Sequence, residues 1–124
     1  MKWILLMMSG GCGALCRYWL SGVVEQRFAN TAFPAGTLAV NMLGCFLFGV
    51  IWALTTERSV MAPEYRLYLL TGFMGAFTTF STFAAESANL AADRELLFFA
   101  LNAGGQVVGG ILCFIAGRTL GSLI

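Results

Sequence analysis

The stretch that decides the fold reads Gly72-Phe73-Met74-Gly75-Ala76-Phe77-Thr78-Thr79-Phe80-Ser81-Thr82-Phe83. Two glycines and four hydroxyl residues stand here inside a long apolar segment, and both residue types weaken an α-helix. In lipid, a broken helix is tolerated only where it is buried in protein or lines a cavity. The stretch therefore predicts a helix that is broken near mid-membrane. The alternative is an intact helix whose hydroxyls bond back to the preceding turn.

The composition of the whole chain is typical of a membrane protein. Of its 124 residues, 59% are hydrophobic and only 10% are charged, whereas soluble domains carry roughly 25% charged residues. The formal net charge of +1 offers no basic patch to nucleic acid. The sequence contains no histidine and no evident pairing of nucleophile and base, so we expect that the protein is not an enzyme.

Charged and polar residues divide the chain into four apolar stretches, each near the roughly 20 residues that a membrane-spanning helix needs. The expected spans are residues 3–24, 33–55, 65–92 and 96–120, and they form one transmembrane domain over residues 1–124. The first span is interpreted as a retained helix rather than a signal peptide. Only Asp93-Arg94-Glu95 separates the last two spans, which predicts an antiparallel helical hairpin.

The loop charges predict little preference for one orientation in the membrane. The loops on one side carry four cationic residues and those on the other carry two: Lys2, Arg58, Arg66 and Arg118 against Arg27 and Arg94. So small a bias favours insertion in both orientations. Since four short helices enclose a polar path poorly, an antiparallel, dual-topology homodimer is expected.

Small residues in the last span predict close helix packing. Gly105, Gly109, Cys113 and Gly117 recur at steps of four, which lets helix backbones approach closely. This face packs either within the subunit or between subunits, and the sequence leaves both open. The four cysteines all lie in apolar stretches and are interpreted as packing residues.

Two charged residues lie inside the expected spans, where each costs about 2.5–3.5 kcal/mol at the centre of a helix. Arg17 either lines a water-filled vestibule, where it would attract anions, or extends to the membrane interface. The vestibule is the favoured interpretation. Glu86 would repel an anion, so we expect it to cap or hydrogen-bond a neighbouring helix.

Hydrogen-bond donors without carboxylates mark the last three spans as a path for a small anion. Asn41 in the second span and Gln106 in the fourth supply amides. Phe80 and Phe83 belong to an aromatic stripe that alternates with hydroxyl residues. Such stripes usually pack, but an aromatic edge carries partial positive charge that can face an anion.

These residues resemble the Fluc (CrcB-type) family of fluoride channels over nearly the whole chain. The resemblance is carried by three motifs: Gly10-Gly11-Cys12-Gly13-Ala14 with Arg17 and Tyr18, Gly36-Thr37-Leu38-Ala39-Val40-Asn41, and Gly75 through Phe83. The third motif is the specific one.

The resemblance implies a dual-topology homodimer in a bacterial inner membrane, with two pores through which fluoride leaves the cytoplasm. It also implies a structural sodium ion at the dimer centre, held by the main-chain carbonyls of Gly75 and Thr78. The implied pore residues are Asn41, Phe80, Ser81, Thr82 and Phe83, with Gln106 beside them in the fourth span and Arg17 in the vestibule. Membrane lipid and a second copy of the chain are the expected partners.

The sequence departs from the family pattern at two places. Ala76 stands where relatives usually have a second glycine, and Gly110 and Phe114 stand where the polar track of relatives would continue. The alternative class is a small multidrug transporter coupled to protons, also an antiparallel dimer of four-helix chains. Such a transporter needs an acid in its first span, where this chain has Arg17.

Overall fold

The computed structural model describes residues 1–124, and its regular structure is entirely helical. Five helices follow one another along the chain: α1 (Lys2–Arg27), α2 (Ala35–Glu57), α3 (residues 63–77), α4 (Phe80–Ala92) and α5 (Leu96–Leu123). Together α3 and α4 occupy the stretch that the sequence predicted as the third span.

Three helical stretches are long and apolar enough to cross a membrane: Ala35–Glu57, Pro63–Ala92 and Leu96–Leu123. They match the predicted second, third and fourth spans to within a few residues and make the protein a multi-pass membrane protein. Helix α1 has 26 residues, which is enough to cross, but Arg17 and several glycines and serines lower its hydropathy. Its membrane crossing stays a prediction.

The predicted hairpin between the last two spans is present. Helix α4 ends at Ala92 and α5 begins at Leu96. Arg94 reverses the chain between them with a φ of 62°, a left-handed conformation that suits a tight turn. Because the turn is so short, α4 and α5 pack side by side.

The chain leaves the helical conformation at Thr78 and Thr79, between α3 and α4. Thr78 has φ −82° and ψ 160°, and Thr79 has φ −149° and ψ 113°. Both are extended. The Thr79 hydroxyl accepts a hydrogen bond from the backbone N–H of Thr82 at 3.2 Å, so a threonine caps the new helix in the manner that this residue type favours.

The small-residue face of α5 packs within the subunit, against α2. A Cβ atom on Gly117 would overlap the carbonyl oxygen of Phe46, and one on Gly109 would lie 2.8 Å from Met42 Sδ. Cys113 Sγ lies 3.9 Å from the same sulfur. The structure thus decides between the two interpretations of this face, since its contacts are used inside one chain.

A single chain leaves much apolar surface uncovered. Its buried apolar cluster consists of Val40, Leu70, Met74 and Phe77, where α2 meets α3. Only 20 of the 124 residues are buried. Large side chains such as Phe80 and Tyr18 remain about four-fifths exposed, so lipid or a second chain must cover them.

Candidate functional site

A groove with a volume of about 550 Å³ runs between α2 and α5 and is bordered by the break and by α4. Along α2 and α5, the amides of Asn41 and Gln106 stand at one end of the groove and the rings of Phe48 and Phe114 at the other. The lining residues that matter below are Asn41, Cys45 and Phe48 from α2, Gln106, Gly110 and Phe114 from α5, and Thr78, Thr79, Phe80 and Phe83.

Asn41 joins α2 to the backbone at the break. Its Nδ2 donates to the Thr79 carbonyl oxygen at 3.1 Å, and its Oδ1 accepts from the Thr79 N–H at 2.9 Å. The second N–H of the amide donates to Gln106 Oε1 at 2.9 Å. Both donors of Asn41 are therefore used within the chain, so its role here is to fix the break rather than to present free N–H groups.

The break leaves backbone oxygens without their usual helical partners. In a continuous helix the Thr79 N–H would donate to the Gly75 carbonyl, but here it donates to Asn41. The Thr78 carbonyl accepts no hydrogen bond from backbone or side chain, while the Thr78 hydroxyl donates to the Met74 carbonyl at 3.0 Å. Carbonyl oxygens left free in this way can coordinate a cation.

A row of amides continues from Asn41 into the subunit. Gln106 Nε2 lies 3.4 Å from Asn102 Oδ1, and Asn102 Nδ2 donates to Ser87 Oγ at 3.0 Å. Asn102 is completely buried. Gln106, which lines the groove, accepts from Asn41 and donates once, so one of its N–H groups has no partner in the chain.

Phe80 and Phe83 lie next to each other on the wall of the groove. Their ring centroids are 5.5 Å apart and the ring planes are inclined by 59°, so the edge of one ring is turned toward the other. Phe80 is 78% exposed in the single chain, while Phe83 is half-buried. An aromatic ring so exposed in a protein of this kind marks a surface that another molecule covers.

A second cavity, of about 380 Å³, lies on the α1 side of the break. Arg17, Thr37, Thr79 and Thr82 all line it. Arg17 forms no salt bridge within the chain, although Glu25 lines the same cavity, where its carboxylate accepts a hydrogen bond from the Gly36 N–H at 3.0 Å. Thr79 lines this cavity and the groove alike, which makes the break the junction between them.

Glu86 hydrogen-bonds a neighbouring helix, which confirms the expectation from the sequence. The Thr37 hydroxyl, on α2, donates to Glu86 Oε1 at 2.6 Å. The other carboxyl oxygen, Oε2, is buried and has no hydrogen-bond partner. Glu86 lines neither the groove nor the second cavity.

The predicted pore residues fall into three groups. Asn41, Phe80, Phe83 and Gln106 meet at the groove. Thr82 meets Arg17 at the second cavity and accepts from the Thr79 hydroxyl at 2.8 Å. Ser81 is exposed and lines neither space within one chain. Of the two residues predicted to bind sodium, Thr78 borders the groove and Gly75 is exposed outside it.

Sequence reasoning missed two residues of the site. Thr79 connects the two cavities but was only one hydroxyl among four in its motif. Cys45 lines the groove but was interpreted as packing. Its position four residues after Asn41 would have placed it on the same helix face.

Long apolar helices, a break fixed by the amide of Asn41 and two cavities that meet at this break are together typical of a small helical membrane transport protein. A family model described as "CrcB-like protein, Camphor Resistance (CrcB)" matches residues 4–118. The chain belongs to this family.

Similar proteins over the full length carry the name "Fluoride-specific ion channel FluC". The protein from Maridesulfovibrio salexigens is 50% identical over 99% of this chain and 97% of its own length. Those from Solidesulfovibrio magneticus and Nitrosococcus oceani are each 49% identical, over 96% and 100% of this chain and 94% and 97% of their own lengths. The family is thus one of ion channels and not of enzymes.

Proposed function

We propose that this chain forms a fluoride-selective channel that lets fluoride leave the cytoplasm across the inner membrane of a bacterium. Membership of the CrcB family and the names of the relatives support the choice of ion. The observation that carries the path is the position of Thr79, which borders both cavities. A row of polar residues then leads from Arg17 past Thr82 and Thr79 to Gln106.

The chemistry of this row suits a small, strongly hydrated anion. Fluoride enters a pore only if the protein replaces most of its hydration shell. The Thr82 hydroxyl accepts from Thr79 and keeps its own O–H free, and this O–H and the free N–H of Gln106 are donors that carry no positive charge and so do not trap the ion. Arg17 raises the anion concentration at the second cavity. The edges of Phe80 and Phe83 add weaker attraction and keep the passage narrow.

The pore requires a second chain. The groove is open to the outside, and Phe80 beside it is 78% exposed, so a partner must close the path and cover this ring. The proposed assembly is the antiparallel, dual-topology homodimer with two pores, one on each side of the twofold axis. An isologous interface of this kind would bring the α4 surface of each chain to the other.

A structural sodium ion at the centre of this dimer fits the oxygens present. The Thr78 carbonyl accepts no hydrogen bond, and the Thr79 N–H, the helical partner that the Gly75 carbonyl would otherwise have, donates to Asn41 instead. Each chain would supply the carbonyls of Gly75 and Thr78, and the twofold axis would double the set. The ion would hold the two broken helices together.

The multidrug-transporter alternative is not favoured. Such a transporter would need an acid near mid-membrane in α1 that binds a cationic substrate, whereas α1 has Arg17 nearer its middle and its one acid, Glu25, in its last turn.

Fluoride efflux from liposomes that contain the purified protein tests the proposal. We expect rapid fluoride efflux, no measurable chloride efflux under the same conditions, and no coupling to a proton gradient. Chloride efflux equal to that of fluoride, or proton-driven uptake of a cationic dye, would contradict it. Protein-free liposomes give the background leak.

A further inference from the structure

Residues of α2 and α5 face each other in pairs along the groove. At the polar end Asn41 donates to Gln106 at 2.9 Å, and at the other end the rings of Phe48 and Phe114 lie 6.2 Å apart. Cys45 and Gly110 form the pair between them. At this level α5 has no side chain that can donate a hydrogen bond, because the residue there is Gly110.

The sulfur of Cys45 occupies the space that a side chain on α5 would otherwise enter. A Cβ atom on Gly110 would lie 3.3 Å from Cys45 Sγ, which is tighter than ordinary packing. Gly110 therefore leaves room for the thiol, and both residues line the groove. Cys45 makes no hydrogen bond within the chain, whereas the thiol of Cys113 points to Met42 Sδ and lies outside the groove.

We propose that the Cys45 thiol is an additional ion-contacting residue of the channel and takes the place of the donor missing from α5. The inference rests on the proposed fluoride path. Cys45 lies four residues after Asn41, about 6 Å further along the axis of α2, so an ion that leaves the Gln106 amide meets it next. A thiol is a weak donor, but an anion that has lost its water accepts from any donor within reach.

Without this thiol, the stretch from Gln106 to the ring of Phe114 has no free side-chain donor, since the hydroxyl of Thr78, which also lines the groove, donates to the Met74 carbonyl. An anion would cross it with no hydrogen bond from the lining of the groove, and such a step is costly in a space that excludes water. The competing explanation is that Cys45 only fills space as a small apolar residue. The two explanations differ in whether the S–H or merely the volume is needed.

Fluoride efflux from liposomes, measured for matched variants, separates these explanations. Cys45→Ser keeps a donor, whereas Cys45→Ala and Cys45→Val remove it, the alanine variant with a smaller side chain and the valine variant with a larger one. Gly110→Ser and Gly110→Ala are then combined with Cys45→Ala. In these double variants the space vacated by sulfur receives a side chain from α5, with or without a hydroxyl. Cys113→Ser is the control for a thiol outside the groove.

We expect Cys45→Ser and Cys113→Ser to retain fluoride efflux, and Cys45→Ala and Cys45→Val each to lose about tenfold or more. Adding Gly110→Ser to Cys45→Ala should restore most of the flux, and adding Gly110→Ala should not. Flux at the wild-type level in Cys45→Val, or equal rescue by alanine and serine at position 110, would overturn the inference. If one donor-free variant fails to form dimers, the other decides the comparison.

The same measurement distinguishes failure of this inference from failure of the proposed function. Wild-type protein that moves fluoride but not chloride establishes the path, after which the variants test Cys45 alone. Wild-type protein that moves no fluoride would overturn both proposals.

Discussion

The side chain of Asn41 pairs with the backbone of Thr79 in both directions, as donor at 3.1 Å and as acceptor at 2.9 Å. An amide can do this because it carries a donor and an acceptor side by side. The contact holds one residue of α2 against the point where the third predicted span is broken. It also directs the Thr79 N–H away from the helical partner it would otherwise have.

Asn41→Asp should abolish fluoride flux and weaken the fold. The change replaces the Nδ2 donor by an oxygen, so the bonds to the Thr79 carbonyl and to Gln106 are lost and a carboxylate faces the groove. We expect a loss of at least about 1–3 kcal/mol in stability. Thermal unfolding in detergent and liposome efflux measure the two effects. Asn89→Asp, at an exposed position on α4, is the matched control and should change neither.

Phe80→Ile and Phe83→Ile should each reduce fluoride flux strongly while the dimer still purifies normally. Isoleucine keeps bulk and apolarity but removes the aromatic edge. Because Phe80 is 78% exposed in the single chain, its replacement should cost no more than about 1 kcal/mol of stability. Phe99→Ile, outside both cavities, is the control. Normal flux in both pore variants would show that the two rings contribute only to packing.

The fold of a single chain should tolerate alanine at position 75 but not at position 13. A Cβ on Gly75 would meet only the Leu70 carbonyl at 3.7 Å, whereas one on Gly13 would overlap the carbonyl of Phe73. We expect Gly13→Ala to cost about 1–3 kcal/mol of stability. Gly75→Ala should fold as stably as wild type, whereas Gly75→Val, with a β-branched side chain, should disturb the break and lose flux, and Thr78→Ser should behave as wild type.

The readout for this comparison is efflux with sodium present or removed on both sides, together with thermal unfolding. A wild-type channel indifferent to sodium would count against the carbonyl site. Full activity of Gly75→Val, with its larger side chain, would show that the site is misplaced.

Cross-links between introduced cysteines should reveal antiparallel chains. Lys2 begins α1 and Arg94 lies in the turn between α4 and α5, so the two are expected on opposite sides of the membrane in one chain. An antiparallel partner brings position 2 of one chain to the side of position 94 of the other. In a background without Cys12, Cys16 and Cys113, and with Cys45→Ser, we expect 2-to-94 links between chains. Exclusive 2-to-2 links would rule out this dimer.

Arg17→Gln should lower fluoride flux in a manner that depends on salt. Arg17 lines its cavity without forming a salt bridge, so its charge attracts anions most effectively at low ionic strength, where the Debye length is long. We expect a reduction of about two- to fivefold at 10 mM salt that shrinks at 1 M. Arg27→Gln, an exposed change at the end of α1, is the control. An equal loss at both salt concentrations would point to a structural role.

The fold could be predicted to a large extent from the sequence because it follows from local composition. Asp93, Arg94 and Glu95 are polar residues between two apolar stretches, and the hairpin turn lies where they stand. Glycines and hydroxyl residues cluster at residues 72–83, and the chain leaves the helical conformation at Thr78 and Thr79. In each case the signal and the structure lie within a few residues of each other.

The candidate site could be predicted only as a set of residue types. Asn41 and Gln106 were identified because amides are rare inside apolar spans, but the sequence suggested free donors in both. Whether an N–H is free depends on which group 38 or 65 residues away comes within hydrogen-bond distance. Both N–H groups of Asn41 donate hydrogen bonds within the chain, whereas one N–H group of Gln106 has no partner there.

By itself, the sequence determined the membrane class, the helix limits, the break and the residue types available to an anion, since each depends on neighbours along the chain. Only the tertiary structure decided that Asn41 fixes Thr79, that the small-residue face of α5 packs on α2, and that the thiol of Cys45 fills the space left by Gly110. These relationships arise when side chains distant in sequence compete for the same space and the same hydrogen bonds.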